Sequence, residues 1–258
     1  MDQSFMKEKP VMPLVISMAI PMTISMLVNS LYNIIDSFYV AKISEQAMTA
    51  LSLVYPAQNL LTAVTVGFAI GVNAVIAYYL GAGLKKLADT AATLGLIFNI
   101  LHGFLIGTIC IVGMPAFLGR FSSDSEIIHL GTQYANIVFL FGIPIGAGIS
   151  YEKTFQAIGR MKVSMVSMLV GCVVNIILDP LMIFGFGPIP AMGIKGAAWA
   201  TGIGQVVSLV IYLAVYFKDL DNIPVRISLK NLTESGRTLK KMYGIGIPAT
   251  LNLALPSS

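Results

Sequence analysis

The chain has 258 residues, of which 56% are hydrophobic and only 11% charged, and its mean hydropathy is +0.83. Soluble globular domains carry about 25% charged residues, so the composition excludes one. The formal charge of +4 reflects orientation in a membrane, as shown below, and nothing in it points to nucleic acid.

Apolar runs cover 14–40, 51–80, 92–118, 130–155, 163–187 and 194–217. Each is long enough for a helix to cross a bilayer, which takes about 20 residues. None shows the period-two alternation of barrel strands, and a helix satisfies its own backbone polar groups. The expected fold is an all-α membrane protein, a bundle of six transmembrane helices. The first run follows Lys7 and Lys9, is too long for a signal-peptide core and has no small-residue cleavage site, so it is read as a retained span. With the N-terminus taken as cytoplasmic, Lys7, Lys9, Lys85, Lys86, Lys153, Arg160, Lys162, Lys218, Arg226, Lys230, Arg237, Lys240 and Lys241 fall inside, and only Lys42, Arg120 and Lys195 fall outside. Such an excess of basic residues on one side sets orientation.

The first span carries a polar stripe, Asn29, Tyr32, Asn33 and Asp36, at i, i+3, i+4 and i+7. That spacing shares one helical face; Leu27, Ile34, Ile35 and Phe38 oppose it. The fifth span carries Asn175 and Asp179, one turn apart, followed by Pro180, which removes a helix hydrogen bond and leaves a carbonyl near Ile176 free to help coordinate a cation. The sixth carries Thr201, Gln205, Ser208 and Tyr212 at i, i+4, i+7 and i+11. Asp36 and Asp179 are the two carboxylates that stand deep inside apolar runs, where charge is costly and marks function. The topology puts both in the outer half of the bilayer, so they can share one site. Carboxylates, a carboxamide and a hydroxyl are hard oxygen donors that suit H⁺ or Na⁺ and offer no nucleophile and no transition-metal set. Asn29, Asn33, Gln205 and Ser208 serve interhelical packing bonds equally well.

Other polar residues read as structural. Cys110 and Cys172 are packing residues rather than a disulfide, and His102 is a hydrogen-bonded packing residue. The glycines of the spans, among them Gly67, Gly71, Gly142, Gly146, Gly196 and Gly204, read as close helix contacts.

After the sixth span comes a polar, basic stretch, 218–242, read as a cytoplasmic linker. Ile227, Leu229, Leu232 and Leu239 give it an amphipathic look, so an interfacial helix is expected there, with a solvated linker as the alternative. Beyond it, Ile247-Pro248-x-Thr250 repeats Ile20-Pro21-x-Thr23 of the first span. An even number of spans separates the copies, which implies a parallel repeat about an axis along the membrane normal. The expected organisation is a six-helix lobe over 1–217, the linker over 218–242 and, over 243–258, the start of a seventh membrane helix belonging to a second lobe.

Four segments together resemble the MATE (multidrug and toxic compound extrusion) family: IPMTISMLVNSLYNIIDSFYVAK, FAIGVNAVIAYYLGAG, QAIGRMKVSMVSMLVGCVVNIILDPLMIFGFG and MGIKGAAWATGIGQ. The resemblance covers the chain as the N-terminal half of a twelve-helix, two-lobe transporter. It implies a multi-pass cell-membrane antiporter that exchanges H⁺ or Na⁺ for amphipathic or cationic drugs and toxic compounds, with no cofactor and no catalytic residue. It also implies that Asp36, Asn175, Asp179 and Thr201 couple the cation, supported by Asn29, Tyr32, Asn33 and Gln205. The implied partners are small-molecule substrates, membrane lipid and a C-terminal lobe. Two alternatives stand beside it. A lipid-linked oligosaccharide flippase of similar fold would place basic residues deep in its spans, and an intramembrane aspartyl enzyme would use the two carboxylates as a dyad.

Overall fold

The computed structural model describes residues 10–229 and 232–255, the Leu14 side chain excepted. Lys7, Lys9, Lys230 and the 256–258 end lie outside the described residues. The described backbone is almost wholly helical: α1 (Val11–Ala41), α2 (Glu45–Gly81), α3 (Lys85–Phe121), α4 (Ser125–Leu140), α5 (Gly142–Ala157), α6 (Met161–Phe184), α7 (Ile194–Lys218) and α8 (Ser235–Ala254). Short turns join antiparallel neighbours. At the α2–α3 and α5–α6 corners, Gly83 (φ 75°) and Gly159 (φ 77°) hold left-handed backbone. In each corner the next amide reaches back to the helix, Leu84 to Tyr79 and Arg160 to Phe155, both at 2.8 Å, the usual way of closing a helix on a glycine. At the other end, Ser44 Oγ accepts the Ala47 amide at 3.0 Å and Asp124 Oδ1 accepts the Glu126 amide at 2.8 Å, capping α2 and α4.

Five of these helices (α1, α2, α3, α6 and α7) are long and apolar enough to cross a membrane, and α4 with α5 makes a sixth span bent by 47°. This is a multi-pass membrane protein with a six-span bundle. The run 130–155 is therefore two helices rather than one. Pro144 explains the break: it has no amide to give the Leu140 carbonyl, and its ring crowds that turn. Large apolar side chains such as Ile109 (68% exposed) and Val112 (76%) point outward from α3, as a lipid-facing surface requires.

Inside the bundle, small residues let backbones touch. Gly95, Asn99, Gly103 and Gly107 recur every fourth residue along α3; Asn99, Gly103 and Gly107 face α5 and the bend before it, and Gly95 lies against Val72 of α2. A Cβ on Gly103 would meet the Gly142 carbonyl, and one on Gly146 would meet the Asn99 carbonyl. Polar side chains stitch the same seam: Asn99 Nδ2 donates to the Gly146 carbonyl at 3.1 Å and Ser150 Oγ to the Gly95 carbonyl at 3.0 Å. Without a hydrophobic drive between helices in lipid, such packing and bonding hold them together.

The stretch after α7 departs from both sequence expectations. Residues 223–228 form neither a helix nor a solvated linker, and helix resumes at Ser235. After a 3₁₀ turn (Leu220–Asn222), residues 223–228 run non-helically across the end of the bundle, with Ile223 and Val225 buried in the core. Its amides are taken by side chains of α3 and α7. Asp89 Oδ1 accepts from Arg226 (2.7 Å), Tyr216 Oη from Ile227 (2.7 Å), Thr93 Oγ1 from Ser228 (3.0 Å) and Thr90 Oγ1 from Thr233 (3.2 Å). Arg160 pairs with Asp219 at the start of this strap. Bonds from Asn222 and then Arg160 hold the Asp219 carboxyl below the usual range. The strap delivers the chain to α8, which begins at Ser235, ahead of position 243 where the sequence reading began its seventh membrane helix. α8 lies on α2, where Gly71 meets the Met242 carbonyl and Gly67 meets Thr250. His102 Nε2 and Tyr243 Oη are 3.0 Å apart, so this histidine is a hydrogen-bonded packing residue.

Two outcomes test this packing by thermal unfolding of full-length protein in detergent. Gly103→Ala forces a methyl into the Gly142 backbone and is expected to cost about 1–3 kcal/mol, whereas Gly113→Ala, with open space around it, is expected to be neutral or to gain about 0.5–1 kcal/mol. Asp89→Ala strands the Arg226 amide and is expected to cost about 1–3 kcal/mol, while Asp89→Asn keeps an acceptor oxygen and recovers most of it.

Candidate functional site

Helix α1 turns Pro21, Ser25, Asp36 and Val40 inward and leaves Leu27, Leu31, Ile34 and Phe38 exposed. The inward residues follow helical spacing, so the face is set by the sequence. α1 packs along α6, and that contact carries Asp36 to the side of Asp179. Asp36 is 7% exposed, Asn175 2% and Asp179 0%.

Around Asp179 the geometry is explicit. The Asn175 amide nitrogen donates to Asp179 Oδ1 at 3.3 Å and to Thr201 Oγ1 of α7 at 3.4 Å. One carboxamide thereby joins its own helix to the next. The close approach of α6 and α7 that allows this comes from Gly171 and Gly204: a Cβ on Gly204 would lie 2.8 Å from the Gly171 carbonyl. Gly196 does the same farther along, against the Met182 carbonyl. α6 continues through Pro180 to Phe184.

The two aspartates lie within electrostatic reach of each other. Asp36 acts on Asp179, and both act on Tyr32 of α1 and on Tyr134 of α4. No basic side chain pairs with either aspartate among the described residues. Three buried oxygens of the cluster, Asp36 Oδ1, Asn175 Oδ1 and Asp179 Oδ2, have no hydrogen-bond donor. All are acceptors. Three open acceptor oxygens beside two carboxylates fit a small hard cation or a proton. It does not fit an anion.

The structure thus brings together Asp36, Asn175, Asp179 and Thr201, with Tyr32 beside them. It sets the other supporting candidates apart. Asn33 is exposed, and its amide bonds back to Asn29 on the same helix, at 2.8 Å to the carbonyl and 3.0 Å to the side chain. The stripe Asn29, Tyr32, Asn33 and Asp36 covers about 100° of helix circumference; the α6 interface takes the Tyr32 and Asp36 side and leaves Asn33 at the other edge. Gln205 is half-buried on α7, outside the bonded trio. Farther along that helix Ser208 bonds the Ser167 carbonyl (3.0 Å) and Tyr212 the Ser164 carbonyl (3.2 Å), so both serve packing of α7 on α6.

Sequence reading passed over two residues here. Tyr134 is 1% exposed, and its hydroxyl accepts a 3.4 Å bond from Gln58 Nε2 of α2. With Gln58 as donor, the Tyr134 proton is free to turn toward an acceptor. A polar residue pair opposite each other in two apolar spans was the available signal, and it needs the helix pairing to be recognised.

The MatE family model matches residues 21–181, more than half of the chain. The multidrug export protein MepA of Staphylococcus aureus (strain MRSA252) is 28% identical over 255 residues, covering 96% of this chain and 54% of that protein. Among solved structures, the outward-facing conformation of a multidrug resistance MATE transporter of the MOP superfamily superposes with a TM-score of 0.82 at 28% identity, over 93% of this chain and 52% of that one. A MOP superfamily transporter from Pyrococcus furiosus, described as having a binding pocket of reverse polarity that suggests a different function, gives 0.85 at 26% identity, again over 93% and 52%. The chain spans about half the length of the relatives it matches. With a six-span bundle, a buried two-carboxylate site and a family match across that site, the chain belongs to the MatE family.

Proposed function

We propose that this chain is the first lobe of a cation-coupled multidrug antiporter, a secondary transporter rather than an enzyme, in which Asp36, Asn175, Asp179 and Thr201 take up H⁺ or Na⁺. The observation that carries the reading is the pairing of two buried carboxylates on different helices with no basic partner beside them. Burying one such charge is costly, and burying two that repel each other is costlier. A proton or cation shared between α1 and α6 relieves both at once. Loss of that ion leaves the carboxylates to separate or to draw in water, so occupancy biases how α1 sits on α6. That is the differential interaction a coupling ion needs.

Tyr32 and Tyr134 flank the pair and supply hydroxyls for a carboxylate left uncompensated. Thr201, tied through Asn175, lets α7 follow the same change. The coupling site lies at the end of the bundle opposite the basic turns and strap. With the basic end cytoplasmic, as the distribution of Lys and Arg supports, the N-terminus is inside, the site is reached from outside, and a cation entering down its gradient drives an amphipathic or cationic compound out of the cell. The export step also requires a second six-helix lobe, for which the relatives of twice this length and the repeat of Ile20-Pro21-x-Thr23 at Ile247-Pro248-x-Thr250 are the support.

Efflux from everted vesicles holding full-length protein tests the reading under separate proton and sodium gradients. Asp36→Asn and Asp179→Asn are each expected to lower gradient-driven efflux at least ~10-fold, equivalent to about 1.4 kcal/mol, with the protein still inserted. Unchanged coupling in both variants would rule out the site. Tyr134→Phe, which keeps the ring and removes one hydroxyl, is expected to lower it about 3- to 10-fold, as loss of one hydrogen bond implies.

A further inference from the structure

On the opposite end of the bundle from the carboxylates, a groove of about 220 Å³ runs between α6 and α7, lined by Lys162, Val163, Val166, Ser167, Ile211 and Val215. Its floor is apolar, as expected for a surface that meets lipid tails. Its mouth is basic. Lys162 is exposed at the first turn of α6, and Lys218, also exposed, follows Ile211 and Val215 on α7 at i+7 and i+3, on the same helical face. Neither lysine has a carboxylate partner among the described residues, whereas neighbouring Arg160 is engaged by Asp219. Deeper in the groove, Ser167 is 0% exposed and its hydroxyl has no hydrogen-bond partner.

We propose that this groove binds one anionic phospholipid, with the phosphate between Lys162 and Lys218, the glycerol ester region at Ser167 and the first methylenes along Val166 and Ile211. The spacing suits the ligand: Lys162 and Ser167 are five residues apart, about 7.5 Å of helix rise, which matches the step from a phosphate to the ester oxygens of a glycerophospholipid. Basic pockets between transmembrane helices on the basic side of a membrane protein recognise such headgroups. Charge complementarity selects an anionic lipid over a zwitterionic one, and the buried unpaired hydroxyl gives its ester a partner that a bare hydrocarbon chain would not use. A lipid seated there bridges α6 and α7, the two helices that Asn175 and Thr201 join at the other end.

Native mass spectrometry of full-length protein, released from detergent with equal amounts of phosphatidylglycerol and phosphatidylcholine, tests the proposal. Wild type is expected to retain phosphatidylglycerol at least ~10-fold better. Lys162→Gln with Lys218→Gln, both at exposed positions that leave the core intact, is expected to remove that preference, and Val215→Trp, which fills the groove, to reduce retention of phosphatidylglycerol while the lysines remain. Equal retention of the two lipids by wild type, or a preference that survives the double lysine change, would overturn it.

Discussion

Everything in the bundle depends on two carboxylates that no basic side chain neutralises. Asp36 and Asp179 reach the same place from helices more than a hundred residues apart in sequence, and the apolar core around them cannot stabilise two negative charges. Their environment satisfies them only in part. Asn175 donates to one oxygen of Asp179 while its own oxygen, and one on each aspartate, stay open. The open oxygens of the site are all acceptors. Along α3, by contrast, Asn99 Nδ2 and Ser150 Oγ donate to backbone carbonyls.

The surrounding structure makes that state possible by rigidity. Glycines on α3, α6 and α7 bring backbones into contact, so that side chains as short as Asn175 and Thr201 bridge two helices. At the far end, four side chains hold the amides of the strap after α7, and α8 is docked on α2 through Gly67 and Gly71. α8 is therefore a packed element of the bundle.

Much of this was readable in the chain. Long apolar runs named the spans because lipid permits little else, and deep charges named Asp36 and Asp179 for the same reason. Asn175 and Thr201 followed from helical spacing and the family's pattern. Other features were hidden by distance in sequence. Arg226, Ile227, Ser228 and Thr233 look solvated because their partners, Asp89, Tyr216, Thr93 and Thr90, belong to other helices. Tyr134 resembles any aromatic residue in an apolar helix until α4 is packed beside α2 and α7. The exposure of Asn33 required knowing which edge of a polar stripe meets a neighbour. The bend before Gly142 had a local signal in Pro144, but membrane-length hydropathy outweighed it.

The central claim is that Asp36 and Asp179 form one ion site and not two. Binding of radioactive sodium and proton uptake, measured on purified full-length protein with Asp36→Asn, Asp179→Asn and both together, tests it most directly. One shared site predicts strong non-additivity, with each single change removing as much ion binding as the pair. Losses that simply add, with half of the bound ion surviving each single change, would contradict it.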